Sequence, residues 1–321
     1  MTEDMNKIDE IETVPEVQPE AKETGIKGMK AKDISVVAKK QKIVKVFVQI
    51  GLYTFLTVMA LIVLFPFYWM LMSSVKTIDE YNATIPTFWP HQFRWDTYAA
   101  AFKASGLNLG RLFLNTVFVG VVSTILSLII TVLAAYAFAR LEFRGKNILF
   151  AALLATMMIP GELFTITNYT TVVVWLNWKN TFSALIFPFL VSVFYIYLLR
   201  QNFMQIPNEL YLAAKVDGTS DLKYLWKVMI PLAAPTIISI TILKMMGSWN
   251  TYIWPKLVTS DVSHWLITVG LRAQSFTDAN MQPDFPAQMA AVVLVTLPLL
   301  IVFLCFRKYI MRGVSRSGIK G

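Results

Sequence analysis

Apolar residues in this chain come in blocks, and charged residues mark the block ends. No charge occurs between Lys45 and Lys76, nor between Arg111 and Arg140. A third block, from about Ile148 to Val172, is interrupted by Glu162 alone, and a fourth, Asn180 to Leu199, is free of charge. Pro231 to Trp254 carries only Lys244, and Phe285 to Phe306 carries none. Blocks of roughly 20 apolar residues match the thickness of a bilayer's hydrocarbon core. In that medium each backbone N–H and C=O must be bonded within its own segment, so the blocks are predicted to be helices. The pattern predicts an all-α integral membrane protein with six transmembrane helices.

Composition agrees with that pattern. Hydrophobic residues make up 56% of the 321 and charged residues 15%, where a soluble domain carries about 25% charged. The net charge of +9 is informative through its distribution. Nineteen basic residues flank one set of block ends: seven lysines from Lys27 to Lys45, then Arg140, Arg144, Lys146, Arg200, Lys215, Lys223, Lys227, Arg307, Lys308, Arg312, Arg316 and Lys320. The loops of the other set hold seven, namely Lys76, Arg94, Lys103, Arg111, Lys179, Lys256 and Arg272. Positive residues are retained in the cytoplasm, so both termini are expected there. A nucleic-acid partner is not expected, because no recognised binding motif accompanies the charge.

The organisation that follows has three parts. Residues 1–45 form a cytoplasmic tail, acidic and disordered at first and then basic from Lys27, where it can rest against anionic membrane lipid. Residues 46–310 form the six-helix domain, with a long cytoplasmic loop at 200–230. Residues 311–321 form a short cytoplasmic tail.

Catalytic motifs are missing from the sequence. There is no G-x-x-x-x-G-K-[ST] loop to hold nucleotide phosphates, no H-E-x-x-H and no G-x-S-x-G. His91 and His264 fall in outer loops, and Cys305 is the one cysteine. No catalytic residue, metal site or cofactor is expected, so uphill transport would need energy from a partner or an ion gradient. Two charges fall inside apolar blocks, where each costs about 2.5–3.5 kcal/mol near the bilayer centre. At 1.5 Å per helical residue, Glu162 and Lys244 both lie about 20 Å from the inner face. An ion pair between them is one expectation, with Trp249 and Asn250 as further pathway candidates. Separate hydration of each charge, or a lysine that snorkels to the interface, are the alternatives, and Pro160–Gly161 can bend the third helix.

The least random stretch is Ile206 to Pro235. Pro207 suits a helix start. Leu210, Ala213 and Ala214 share a small apolar face at helical spacing. Gly218 follows Asp217 where a left-handed residue would end the helix, and Ser220 or Asp221 can cap a second helix that re-enters the membrane near Pro231. Such a helix–turn–helix suits a groove on a cytoplasmic partner, and spacing alone equally allows an ordinary surface loop.

This stretch resembles the EAA loop of ABC importer permeases, E-A-A-x3-G-x9-I-x-L-P. Ala213, Ala214, Gly218 and Pro231 match it, while Val228 and Ile230 are conservative replacements. Leu212 stands where the pattern has Glu, and Glu209 lies one turn earlier. F-L-N-T at 113–116, A-A-Y-A-F-A-R-L at 134–141, M-I-P-G-E at 158–162, S-W-N-T-Y-I-W-P at 248–255 and the G-I-K-G end are similar to the maltose-permease branch. The resemblance implies the type-1 (MetI-like) permease fold in a bacterial-type cell membrane. It also implies one half of the translocation pathway of an ATP-driven oligosaccharide importer. The implied partners are a second homologous permease, two cytoplasmic ATPases coupled through Glu209 to Leu222, and an extracytoplasmic binding protein that meets the loop Pro255–Pro286. A non-sugar solute such as glycerol phosphate, or a secondary transporter, are the alternatives.

Overall fold

A computed structural model describes residues 31–103, 108–273, 276–277 and 281–315. The acidic tail, the first basic residues from Lys27, and the G-I-K-G end lie outside the described residues.

Residues up to Phe65 and residues from Pro66 onward form two units. The first is the helical stretch of α1 (Ala31–Ser74) that precedes Pro66. It starts inside the lysine-rich segment, because lysine is a good helix former. The boundary at residue 46 is therefore a change of composition within one helix. From Val46 the stretch is apolar on every side, as a lipid-embedded helix is.

The second unit is built around α4 (Leu109–Arg140), after the short helices α2 (Ile78–Tyr81) and α3 (Asp96–Lys103). One face of α4 is lined by small and hydroxylated residues, Thr116, Gly120, Ser123, Thr124, Ser127 and Thr131, all buried. Small side chains let helices approach closely where no hydrophobic effect drives them together. Hydroxyls can be buried there by bonding back along their own helix: Thr116 donates to the Leu112 carbonyl at 2.8 Å and Ser123 to that of Gly120 at 3.2 Å.

Around α4 pack α8 (Val193–Met204) and α10 (Asp221–Asn250), and α13 (Phe285–Ser315) packs on α10. Ala287, Ala290 and Ala291 of α13 meet Ala101 of α3 in a second small-residue seam. Arg94 closes that seam with an ion pair to Asp284 at 2.9 Å, just ahead of α13. Among the described residues the only β pairing is the isolated bridge of Thr277 with Pro283.

Four uninterrupted helices are long and apolar enough to cross a membrane, and two bent pairs bring the number to six when each pair is one span. The third expected span is α5 (Lys146–Thr156) and α6 (Gly161–Trp175), turned by 88° at their junction. Pro160 lacks the N–H that would continue the ladder, and its ring excludes the preceding turn. The fourth span is α7 (Phe182–Phe189) and α8, turned by 46°. Pro188 sits in the last turn of α7, and the Ser192 hydroxyl restarts the chain by accepting the Tyr195 N–H at 3.4 Å. The fifth span begins at Asp221, ten residues ahead of Pro231, and passes a π-helical turn at Leu225–Met229 before Pro231.

Candidate functional site

The segment 206–221 lies against the Arg140 end of α4. Pro207 precedes α9 (Asn208–Val216). Gly218 ends it with φ +68°: the Thr219 N–H donates to the Ala214 carbonyl at 2.9 Å and the Gly218 N–H to that of Lys215 at 3.0 Å. Those paired bonds are a Schellman cap, which needs a residue at ease in the left-handed region. Ser220 precedes α10 without a side-chain cap bond. The Asp221 carboxylate is committed elsewhere. It accepts hydrogen bonds from the Tyr136 hydroxyl of α4 at 3.0 Å, the Tyr211 hydroxyl of α9 at 2.9 Å and the Lys215 ammonium at 2.9 Å. The bond from Lys215 is the main reason its ammonium is held above the usual lysine range; desolvation opposes it and Tyr211 adds to it. One carboxylate thus joins three helices.

Arg140 completes the junction. Its guanidinium donates to the carbonyls of Phe203 and Ile206, respectively within and just beyond the last turn of α8, and to the Asn208 side chain at 3.1 Å. These carbonyls are the kind that a helix end leaves without partners. In return Arg200 of α8 donates to the Phe138 carbonyl of α4 at 3.0 Å and lies over the Phe150 ring. Beneath this polar layer Tyr136, Phe203, Tyr224, Leu225 and Met229 form a buried cluster.

The two alanines of α9 face opposite ways. Ala214 packs with Tyr211 against that cluster, whereas Ala213 is exposed. The outward stripe is Glu209, Leu212, Ala213 and Val216, all exposed and spaced at i, i+3, i+4 and i+7. Leu212 is 55% exposed and Val216 88%. Leu210, expected to share a face with the alanines, is also exposed. Asp217 and Gly218 lie exposed at the turn, and Pro231 is exposed on α10, two residues past the buried Met229.

At its other end α4 holds the segment between α10 and α13. Asn115 donates to the carbonyls of Ser263 and Trp265 at 2.8 and 3.0 Å, and Thr116 accepts the Ile267 N–H at 2.8 Å. Phe113 meets Trp249 edge to face. A Cβ on Gly270, in α12 (Ile267–Ala273), would sit 2.2 Å from Leu112 Cδ1, so α12 and α4 touch nearly backbone to side chain there. F-L-N-T and S-W-N-T, far apart in sequence, are thus one contact in space.

The intramembrane candidates are dispersed. Lys244 donates to the Phe189 carbonyl at 2.6 Å, at the broken end of α7. Glu162 is exposed at the α5–α6 bend. No ion pair joins Glu162 to Lys244 among the described residues, since the 88° bend invalidates a straight-helix depth for Glu162. Trp249 is buried core, and Asn250 is exposed at the end of α10. Sequence reasoning missed Tyr136, Tyr211, Lys215, Asp221 and Arg140 as a unit. The available signal was a tyrosine and an arginine on a motif at the end of an otherwise apolar block.

This is the architecture of a polytopic, membrane-embedded helical subunit. The chain belongs to the binding-protein-dependent transport system inner membrane component family, which matches residues 127–316. It is 28% identical over 278 residues to the arabinooligosaccharides transport system permease protein AraQ of Bacillus subtilis, covering 85% of this chain and 96% of that one. It is 30% identical over 271 residues to the diacetylchitobiose uptake system permease protein NgcG of Streptomyces coelicolor, covering 83% and 87%. A bacterial ABC transporter chain involved in import of the acidic polysaccharide alginate has the same fold, with a TM-score of 0.73, 24% identity, and coverage of 83% and 96%.

Proposed function

We propose that this chain is one of two permease subunits of an ATP-driven oligosaccharide importer, and that α9 docks into a cytoplasmic ATPase. The observation that carries the reading is the anchored α9. Its outward stripe, Glu209, Leu212, Ala213 and Val216, is exposed and mostly apolar, while its other side is fixed to α4 and α8 through Asp221 and Arg140. A helix held rigidly on one side and bare on the other is suited to pass motion between a partner and the membrane spans. The carbohydrate relatives support a sugar cargo. The basic flanks of 27–45, 140–146, 200–227 and 307–320 support a cytoplasmic location for α9 and both termini.

Two features support the other partners. Residues 157–164 break the helical ladder and are exposed, a state that hydrocarbon does not tolerate and a second permease would cover. The loop 255–286, of which Ser263, Trp265 and Ile267 are bonded to Asn115 and Thr116 at the opposite end of α4, is the surface offered to a solute-binding protein. The test is uptake of labelled arabino-, chito- and malto-oligosaccharides into proteoliposomes holding the complex purified with this chain. At least one should accumulate only with ATP and binding protein present. Accumulation driven by an ion gradient without ATP would favour a secondary transporter instead.

A further inference from the structure

A cavity of about 360 Å³ opens beside the break between α7 and α8, at the lower end of the roughly 300–1,000 Å³ range of small-molecule sites. Its walls come from α4, α7, α8, α10 and α11 (Ile253–Val258). Four serine and threonine residues line it, Ser123, Ser192, Ser248 and Thr251, together with the aromatic rings of Phe189, Tyr195 and Trp254. Trp254 is held in place by its indole N–H, which donates to the Ala184 carbonyl at 2.9 Å, and by an edge-to-face contact with Phe189. Hydroxyls beside aromatic faces suit a sugar ring, which presents hydroxyl edges and C–H faces.

The electrostatics of the cavity narrow the ligand further. Lys244 is the one charged residue among its lining, and no carboxylate accompanies it. Its ammonium meets a neutral carbonyl, that of Phe189. Ser192 and Tyr195, the cap and an early residue of the twelve-residue α8, also line the cavity, so the positive end of that helix dipole adds to the lysine. A cation kept at this depth costs free energy unless something compensates it, and three ammonium protons exceed what one carbonyl accepts.

We propose that this cavity is a solute subsite on the present chain and that it receives the carboxylate of a uronic-acid unit of an acidic oligosaccharide. The inference rests on the reading of the chain as a sugar permease. Lys244 binds the carboxylate, the serine and threonine hydroxyls bond the ring hydroxyls, and Trp254 and Tyr195 form the apolar wall.

The test uses the full complex in proteoliposomes with ATP and binding protein, offered trigalacturonate and its carboxyl-reduced galactose counterpart. Lys244→Gln keeps a donor for the Phe189 carbonyl and removes the charge. Gly247→Asp, one turn along from Lys244 in the cavity wall where a Cβ meets no atom within 4 Å, neutralises the charge without touching the lysine. Both should lower trigalacturonate uptake at least about tenfold, the equivalent of about 1.4 kcal/mol. Both should lower uptake of the neutral counterpart far less, and Lys244→Arg should restore most acidic uptake. Equal loss of both sugars in assembled complexes, or wild-type uptake of neutral oligosaccharides only, would overturn the acidic subsite while leaving sugar import standing. Absence of ATP-dependent uptake of any saccharide would instead overturn the sugar reading itself.

Discussion

Replacing Asp221 with alanine is expected to lower ATP-driven uptake at least tenfold while the protein still inserts and keeps its membrane core. Two hydroxyls, of Tyr136 and Tyr211, bond this one carboxylate, and a hydrogen bond to a charged group contributes about 1.5–3 kcal/mol. The Lys215 partner is half exposed, so its pairing adds little. Without the carboxylate, α9 loses its tie to Tyr136 and keeps the Arg140–Asn208 hydrogen bond and the apolar contacts of Tyr211 and Ala214. ATPase activity should then persist but stop responding to binding protein and sugar. Tyr136→Phe and Tyr211→Phe each remove one bond and should give intermediate losses. The three variants share one carboxylate, so their effects should not add when combined. Purely additive losses, or normal coupling in Asp221→Ala, would assign Asp221 to the surface alone.

Gly218→Val should have a comparable effect by a different route. At φ +68° an L side chain is strained by about 1–2 kcal/mol, and a β-branched one resists the region further. No atom lies within 4 Å of a Cβ built there, so the strain is in the backbone and not in crowding. Gly218→Asn should therefore retain most uptake, since asparagine tolerates this region. The stripe and the buried side of α9 are expected to separate experimentally. Ala213→Asp places a carboxylate on the exposed stripe and should detach the ATPase from a normally folded loop. Ala214→Asp pushes a carboxylate towards Tyr211 and Tyr224 and should loosen the loop itself, seen as faster proteolysis between 205 and 222. Leu212→Glu should be tolerated, because the position is exposed. Wild-type uptake and ATPase retention in both Gly218→Val and Ala213→Asp would reduce α9 to an ordinary connection.

The membrane helices were legible because a bilayer imposes its thickness on composition: the apolar blocks bounded by Lys45, Lys76, Arg111 and Arg140 match the span Ile43–Ser74 within α1, and α4, closely. The breaks were legible only in part. Pro160–Gly161 announced a bend, but Pro188 sits in a charge-free run whose composition does not reveal that Leu190 to Ser192 leave the helix. The end of α9 could be read locally, since a glycine after Asp217 is a backbone signal. Which side of α9 faces outward could not be read from Ala213 and Ala214 alone, because adjacent residues point about 100° apart on a helix. The spacing Glu209, Leu212, Ala213, Val216 carried that information.

The junction at Asp221 was not legible. Tyr136 is 85 residues from it, and a hydrogen bond over that separation is set by how α4, α8 and α10 pack. The same holds for Asn115 and the carbonyls of Ser263 and Trp265. Motifs at 113–116, 134–141, 206–235 and 248–255 were recognised as separate strings. The structure shows that α4 carries one such contact at each end, the segment between α10 and α13 at Asn115 and the α9 segment at Tyr136 and Arg140. A rigid helix with a bonded loop at either end is a direct mechanical link between the two surfaces through which such a subunit would meet its partners.

The docking of α9 is tested most directly by cross-linking from a single cysteine at its most exposed position. In a Cys305→Ala background, Val216→Cys treated with a short bifunctional thiol–amine reagent in open membrane fragments should yield an adduct of this chain with an ATPase subunit, and Trp95→Cys in the outer loop should not. In intact cells Val216→Cys should resist a membrane-impermeant maleimide. Labelling of Val216→Cys from outside, or an assembled complex that gives no ATPase adduct at this position, would contradict the assignment of α9 as the coupling element.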